Sequence, residues 1–131
     1  MSFGESVRTC INKYATFDGR ASRSEFWWFY LFYVLVSMVS YIPVIIVGVL
    51  AGSGDSGFVT VIWGFFMIFW AVFILGLIIP LLAVGCRRLH DRGQSGWLQL
   101  LLFVPCGGIV LLVFWVMEGT PGDNAYGPRP A

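Results

Sequence analysis

The sequence predicts an all-α integral membrane protein, with three transmembrane helices preceded by a short amphipathic N-terminal helix. Three observations predict it. Hydrophobic residues make up 58% of the chain and charged residues only 11%, where a soluble domain carries about 25% charged. Three runs, Phe26 to Leu50, Phe58 to Cys86 and Trp97 to Met117, hold no acid, base or histidine, and about 20 apolar residues are enough for one crossing. The charges gather in short islands between these runs. The densest, Cys86-Arg-Arg-Leu-His-Asp-Arg-Gly-Gln-Ser-Gly-Trp97, holds three of the eight Lys/Arg residues and the only histidine.

Taken in order, residues 1–21 form one amphipathic cytoplasmic segment of mixed composition. Phe3, Val7, Cys10, Ile11 and Tyr14 recur at spacings of three and four, the pattern of an amphipathic helix lying in the headgroup plane. Asp18-Gly19 is a turn signal that stops it. Ser22-Arg-Ser-Glu25 has the form of a capping box, so the first span is expected over residues 23–50, with Pro43 as a kink site. A polar loop follows over residues 51–57. The second span covers residues 58–86 as one tilted helix, kinked near Pro80. Residues 87–96 make a basic turn, with Gly93 ending one helix and Ser95 capping the next. Residues 97–117 form the third span, broken in regularity by Pro105-Cys106-Gly107-Gly108. The Gly- and Pro-rich tail, residues 118–131, is irregular.

Orientation follows from where the basic residues lie. Arg8, Lys13, Arg20 and Arg23 precede the first span, and Arg87, Arg88 and Arg92 occupy the second loop. With the N-terminus inside, seven face the cytoplasm and Arg129 alone lies outside. Trp27, Trp28 and Trp97 then anchor the inner interface. No cleavable signal peptide is expected, since the first apolar run is too long and lacks a small-x-small site. Cys10, Cys86 and Cys106 are odd in number and show no metal spacing, so free thiols are expected, with neither a disulfide framework nor a bound metal.

Three stretches carry a resemblance. Phe17-Asp-Gly-Arg-Ala-Ser-Arg-Ser-Glu-Phe-Trp-Trp-Phe29, Arg87-Arg-Leu-His-Asp-Arg-Gly-Gln-Ser-Gly-Trp97 and Glu118-Gly-Thr-Pro-Gly-Asp-Asn-Ala-Tyr-Gly-Pro128 resemble, in order, the signatures of domain-of-unknown-function family 805. The resemblance implies a few-pass protein of the bacterial inner membrane. It implies no reaction.

Two constellations could carry chemistry. His90-Asp91 has the residue types of a general base, but neighbours in sequence do not face each other on a helix, and no second histidine completes a metal set. The plainer reading has Asp91 pairing with Arg87 or Arg88, and His90 and Ser95 belonging to the same structural polar cluster as Ser22 and Glu25. Glu25 is expected near Arg87, Arg88 or Arg92. Arg20, Arg23, Arg87, Arg88 and Arg92 gather at one membrane face, where guanidinium forks suit phosphate and basic residues attract anionic lipid. Topology and ion pairing with Glu25 and Asp91 would also account for them. The functional reading is a non-enzymatic scaffold or interaction subunit that binds lipid headgroups through these arginines. A subunit of a transport or channel assembly is the alternative, and a membrane enzyme acting on headgroups a third. Expected partners are membrane lipids and a protein partner or second copy. No catalytic residue, cofactor or nucleic-acid partner is expected.

Overall fold

The computed structural model describes residues 2–52 and 57–130. Every regular element among them is helical: α1 (Phe3–Asn12), α2 (Arg23–Gly52), α3 (Gly57–Asp91), a 3-10 helix (Gly96–Phe103) and α4 (Gly107–Val116). The chain divides into two compact units, residues 32–78 and the remainder. Most of the polar loop expected at 51–57 lies outside the described residues.

Unit 32–78 is an antiparallel pair made from the later part of α2 and the earlier part of α3. Trp70 Nε1 donates to Ser40 Oγ at 2.9 Å and Trp63 Nε1 to the Val44 carbonyl at 3.1 Å, so contacts ascend one helix as they descend the other. Gly48 admits the Trp63 indole: a Cβ there would lie 2.7 Å from Nε1. The outward surface is apolar. Phe58 and Phe69 are each 74% exposed, which is stable only against hydrocarbon. Both α2, at 30 residues, and α3, at 35, are long and apolar enough to cross a bilayer, and each continues through its internal proline.

The other unit holds α1, the first turns of α2, the last turns of α3, the 3-10 helix, α4 and the tail. Its α1 opens on a capping box, Ser2 with Glu5, an S-x-x-E signal as legible in the sequence as the one at Ser22. The helix buries Ser6 and Cys10, while Phe3, Ile11 and Tyr14 stay exposed. Ser6 Oγ donates to the Ser24 carbonyl at 3.4 Å, and Phe3 packs edge-on against Trp28. At α2 the expected capping box is half made. Ser22 Oγ accepts from the Glu25 N–H at 3.2 Å, but the Glu25 carboxylate turns to Arg87, because a buried guanidinium is a stronger partner than a backbone N–H.

Two local expectations are corrected. The residues expected to open the basic turn, Arg87–Asp91, are the last helical turn of α3; the chain turns only at Gly93, at φ 75°. The third apolar run, expected as one span broken in regularity at Pro105–Gly108, is a helical hairpin that turns at that break. Its break at Val104–Cys106 lets α4 fold back on the 3-10 helix, and both arms return to α3: Gln99 Nε2 donates to the Leu82 carbonyl at 3.0 Å and Trp115 Nε1 to the Gly85 carbonyl at 3.3 Å. The tail therefore leaves beside the end of α3, not on the far side expected for it.

Candidate functional site: a buried arginine–carboxylate plate

The last turn of α3 presents Arg87, Arg88, His90 and Asp91 to three segments at once, and all four are buried. Two acids pair with three guanidiniums. Backbone carbonyls supply the remaining acceptors of Arg20 and Arg88, while Arg87 Nε and Nη2 are buried without a hydrogen-bond partner among the described residues. Arg20 donates through Nε to Asp91 Oδ1 at 2.9 Å, through Nη2 to the Thr120 carbonyl at 2.7 Å, and through Nη1 to the Gly122 carbonyl at 2.6 Å. Its side chain is only 1% exposed. Arg88 donates to Asp91 Oδ2, to the Ala21 and Met117 carbonyls, and through Nε to the Trp115 carbonyl at 3.1 Å. Arg87 pairs with Glu25 at 2.5 Å, the meeting expected from the sequence.

The tail is tied down through Asp91 and His90. The Thr120 N–H and hydroxyl both donate to the Asp91 carbonyl, at 2.7 and 2.8 Å. Asn124 Nδ2 donates to the His90 carbonyl at 2.9 Å. The His90 ring stacks flat on Tyr126, centroids 4.0 Å apart. Gly119 lies so close that a Cβ would collide with the Asp91 carboxylate. The three sequence stretches, 17–29, 87–97 and 118–128, therefore meet in one plate. Its rim is exposed: Arg23 and Glu118 pair loosely at 3.4 Å with side chains 51% and 77% exposed, and Arg92 Nη1 donates to the Glu118 carbonyl at 2.8 Å.

The structure thus separates the five arginines of the sequence cluster. Arg20, Arg87 and Arg88 are internal; Arg23 and Arg92 are at the rim. Ser22 caps α2 and Ser95 Oγ accepts from the Trp97 N–H at 3.3 Å. Trp28 and Trp97 are exposed, and Trp27 packs edge-on against Phe26 and Tyr30.

One contact escaped the sequence reading. Cys86 and His90, four apart on α3, place Sγ 3.6 Å from Nε2, while His90 Nδ1 donates to the Gly19 carbonyl at 2.9 Å. The i,i+4 spacing was its signal. A thiol beside an oriented imidazole has the elements of a nucleophile and its base. Here Gly96 closes over the sulfur so tightly that a Cβ would strike it, and both Cys86 and His90 are buried. Among the described residues, no group of three or more His, Cys, Asp or Glu is placed to hold a metal ion.

Two long apolar helices and a buried polar plate define a small multi-pass integral membrane protein. The chain belongs to the family described as protein of unknown function (DUF805), which it matches over residues 14–128. It is 36% identical over 121 residues to inner membrane protein YhaI of Escherichia coli strain K12, covering 92% of this chain and 90% of that one. It is 34% identical to inner membrane protein YhaH of the same strain, covering 92% and 91%. No solved structure matches. The protein is a multi-pass protein of the bacterial inner membrane.

Proposed function

We propose that the protein is a non-enzymatic inner-membrane scaffold or interaction subunit, in which the plate is structural and its basic rim holds anionic lipid headgroups at the cytoplasmic face. The observation that carries this reading is how the guanidiniums are used. Arg20 and Arg88 are surrounded by internal acceptors, so a headgroup could reach them only by dismantling the plate. Arg23 is exposed and held by one long ion pair. An exposed pair of that kind is worth at most about 1 kcal/mol, so a lipid phosphate competes with it readily.

The test is purification from native membranes with lipids and proteins analysed together. Expected are a stoichiometric partner protein or second copy, and enrichment of anionic over zwitterionic phospholipid. Exchanging both Arg23 and Arg92 for Gln should reduce that enrichment without lowering thermal stability. Solute flux in liposomes carrying only this chain would overturn the scaffold reading. Equal lipid recovery from parent and variant would overturn the role of the rim.

A further inference from the structure

A cleft of about 730 Å³ lies in the unit that holds the plate, lined by Phe26, Tyr30, Leu82, Gln99, Leu112 and Trp115 among others. That volume is in the range of small-molecule sites, and the lining has their character: mostly apolar and aromatic with a few polar atoms. Leu102, Val104, Ile109 and Leu112, which also line it, are exposed. The cleft therefore opens sideways from apolar helices, toward hydrocarbon in a membrane. A second, polar depression is lined by Ser22, Arg23, Arg88, Asp91, Glu118 and Arg129 among others, three bases against two acids.

The two adjoin. Arg23 and Phe26 are three residues apart on one face of α2, about 4.5 Å along its axis. Arg88, in the polar depression, donates to the carbonyl of Trp115, in the apolar cleft. An apolar slot open to lipid and a basic depression one helical turn beyond it have the polarity of an amphiphile with an anionic head. Charge complementarity selects the head. Asp91 neutralises Arg88, Glu118 loosely holds Arg23, and Arg129 has no ion pair among the described residues.

We infer that this is a seat for one anionic phospholipid, with an acyl chain in the cleft and its phosphate between Arg23 and Arg129. The inference rests on the lipid-binding rim proposed above and gives it a defined site. Trp115 lines the cleft and serves as the reporter. The full chain is reconstituted in phosphatidylcholine vesicles, and brominated phosphatidylglycerol or brominated phosphatidylcholine is titrated in. The part of the tryptophan quenching lost in Trp115→Phe isolates the cleft.

Expected is stronger Trp115 quenching by the brominated anionic lipid, with a preference of roughly fivefold for each arginine engaged. Gly108→Leu should abolish the Trp115 component. The nearest atom to a Cβ at Gly108 is Leu102 Cδ2 at 4.0 Å, so the new side chain fills the cleft without a clash at its root. The double exchange Arg23→Gln with Arg129→Gln lies at the exposed rim, and should equalise the two lipids while leaving the circular dichroism unchanged. Equal quenching of the parent by both lipids, or quenching that survives Gly108→Leu in a folded variant, would overturn the seat. Anionic lipid that still copurifies in that case would leave the rim reading standing.

Discussion

Asp91 holds two buried arginines, Arg20 on one carboxylate oxygen and Arg88 on the other. Removing one partner of a buried pair leaves an uncompensated charge and costs about 3–5 kcal/mol. Asp91→Asn should therefore lower thermal stability in detergent sharply, and Glu25→Gln, which strands only Arg87, should do so less; parental melting of Asp91→Asn would show that the plate is solvated. Cys10 offers a test through pH. Burial, and after it the charge of Glu25, push its thiol up to about 12, whereas a free thiol titrates near 8.5. Below the free value both states are protonated and the stabilisation is complete. Above it the unfolded thiol ionises first, and stability falls as pH rises toward the folded value. Cys10→Ala should flatten the loss of thermal stability between about pH 9 and 11, and parallel curves for parent and variant would refute the coupling.

Among the elements, the helical hairpin depends on a glycine at its corner. Gly107 sits against the Leu101 carbonyl so closely that a Cβ would collide with it. Backbone cannot swing aside as a side chain can, so Gly107→Ala should force the arms apart and lower the melting temperature. Gly4 is the control. It lies inside α1 with nothing within 4 Å of its would-be Cβ, so Gly4→Ala should stabilise by up to about 1 kcal/mol through helix propensity. If both exchanges act alike, the close approach at the corner is not what makes Gly107 necessary. The sequence marked a break at Pro105–Gly108. It did not show that the chain reverses there, because the apolar pattern of a straight span and of a folded-back hairpin is the same.

For the whole molecule, α3 at 35 residues extends roughly 52 Å at 1.5 Å per residue, more than a hydrocarbon core of about 30 Å. Its ends are therefore expected in different aqueous compartments. The tail stays with the Asp91 end, through Thr120 and Asn124. In a background with the exposed Cys106 replaced, cysteines at Gln94 and Asp123 should both resist an impermeant maleimide added outside intact cells, while one at Gly57 reacts. Reaction at Asp123 with protection at Gln94 would separate the tail from the plate.

How much was legible in the sequence follows from the range of each interaction. Hydropathy, basic asymmetry and S-x-x-E spacing are local, and they alone pointed to an all-α membrane protein with three apolar spans and an amphipathic start. Glu25 near an arginine was also within reach, because a lone acid at a basic membrane face has few other partners. Arg20 with Asp91 was not: 71 residues separate them, and nothing in either neighbourhood names the other. Nor could composition tell a headgroup-binding arginine from a structural one, since both need the same guanidinium. The tertiary structure decided which arginines are buried, Arg20, Arg87 and Arg88, and which lie at the rim, Arg23 and Arg92. It returned the third apolar segment to the end of α3 and laid the tail's carbonyls around Arg20, whose buried donors are met by acceptors from both segments.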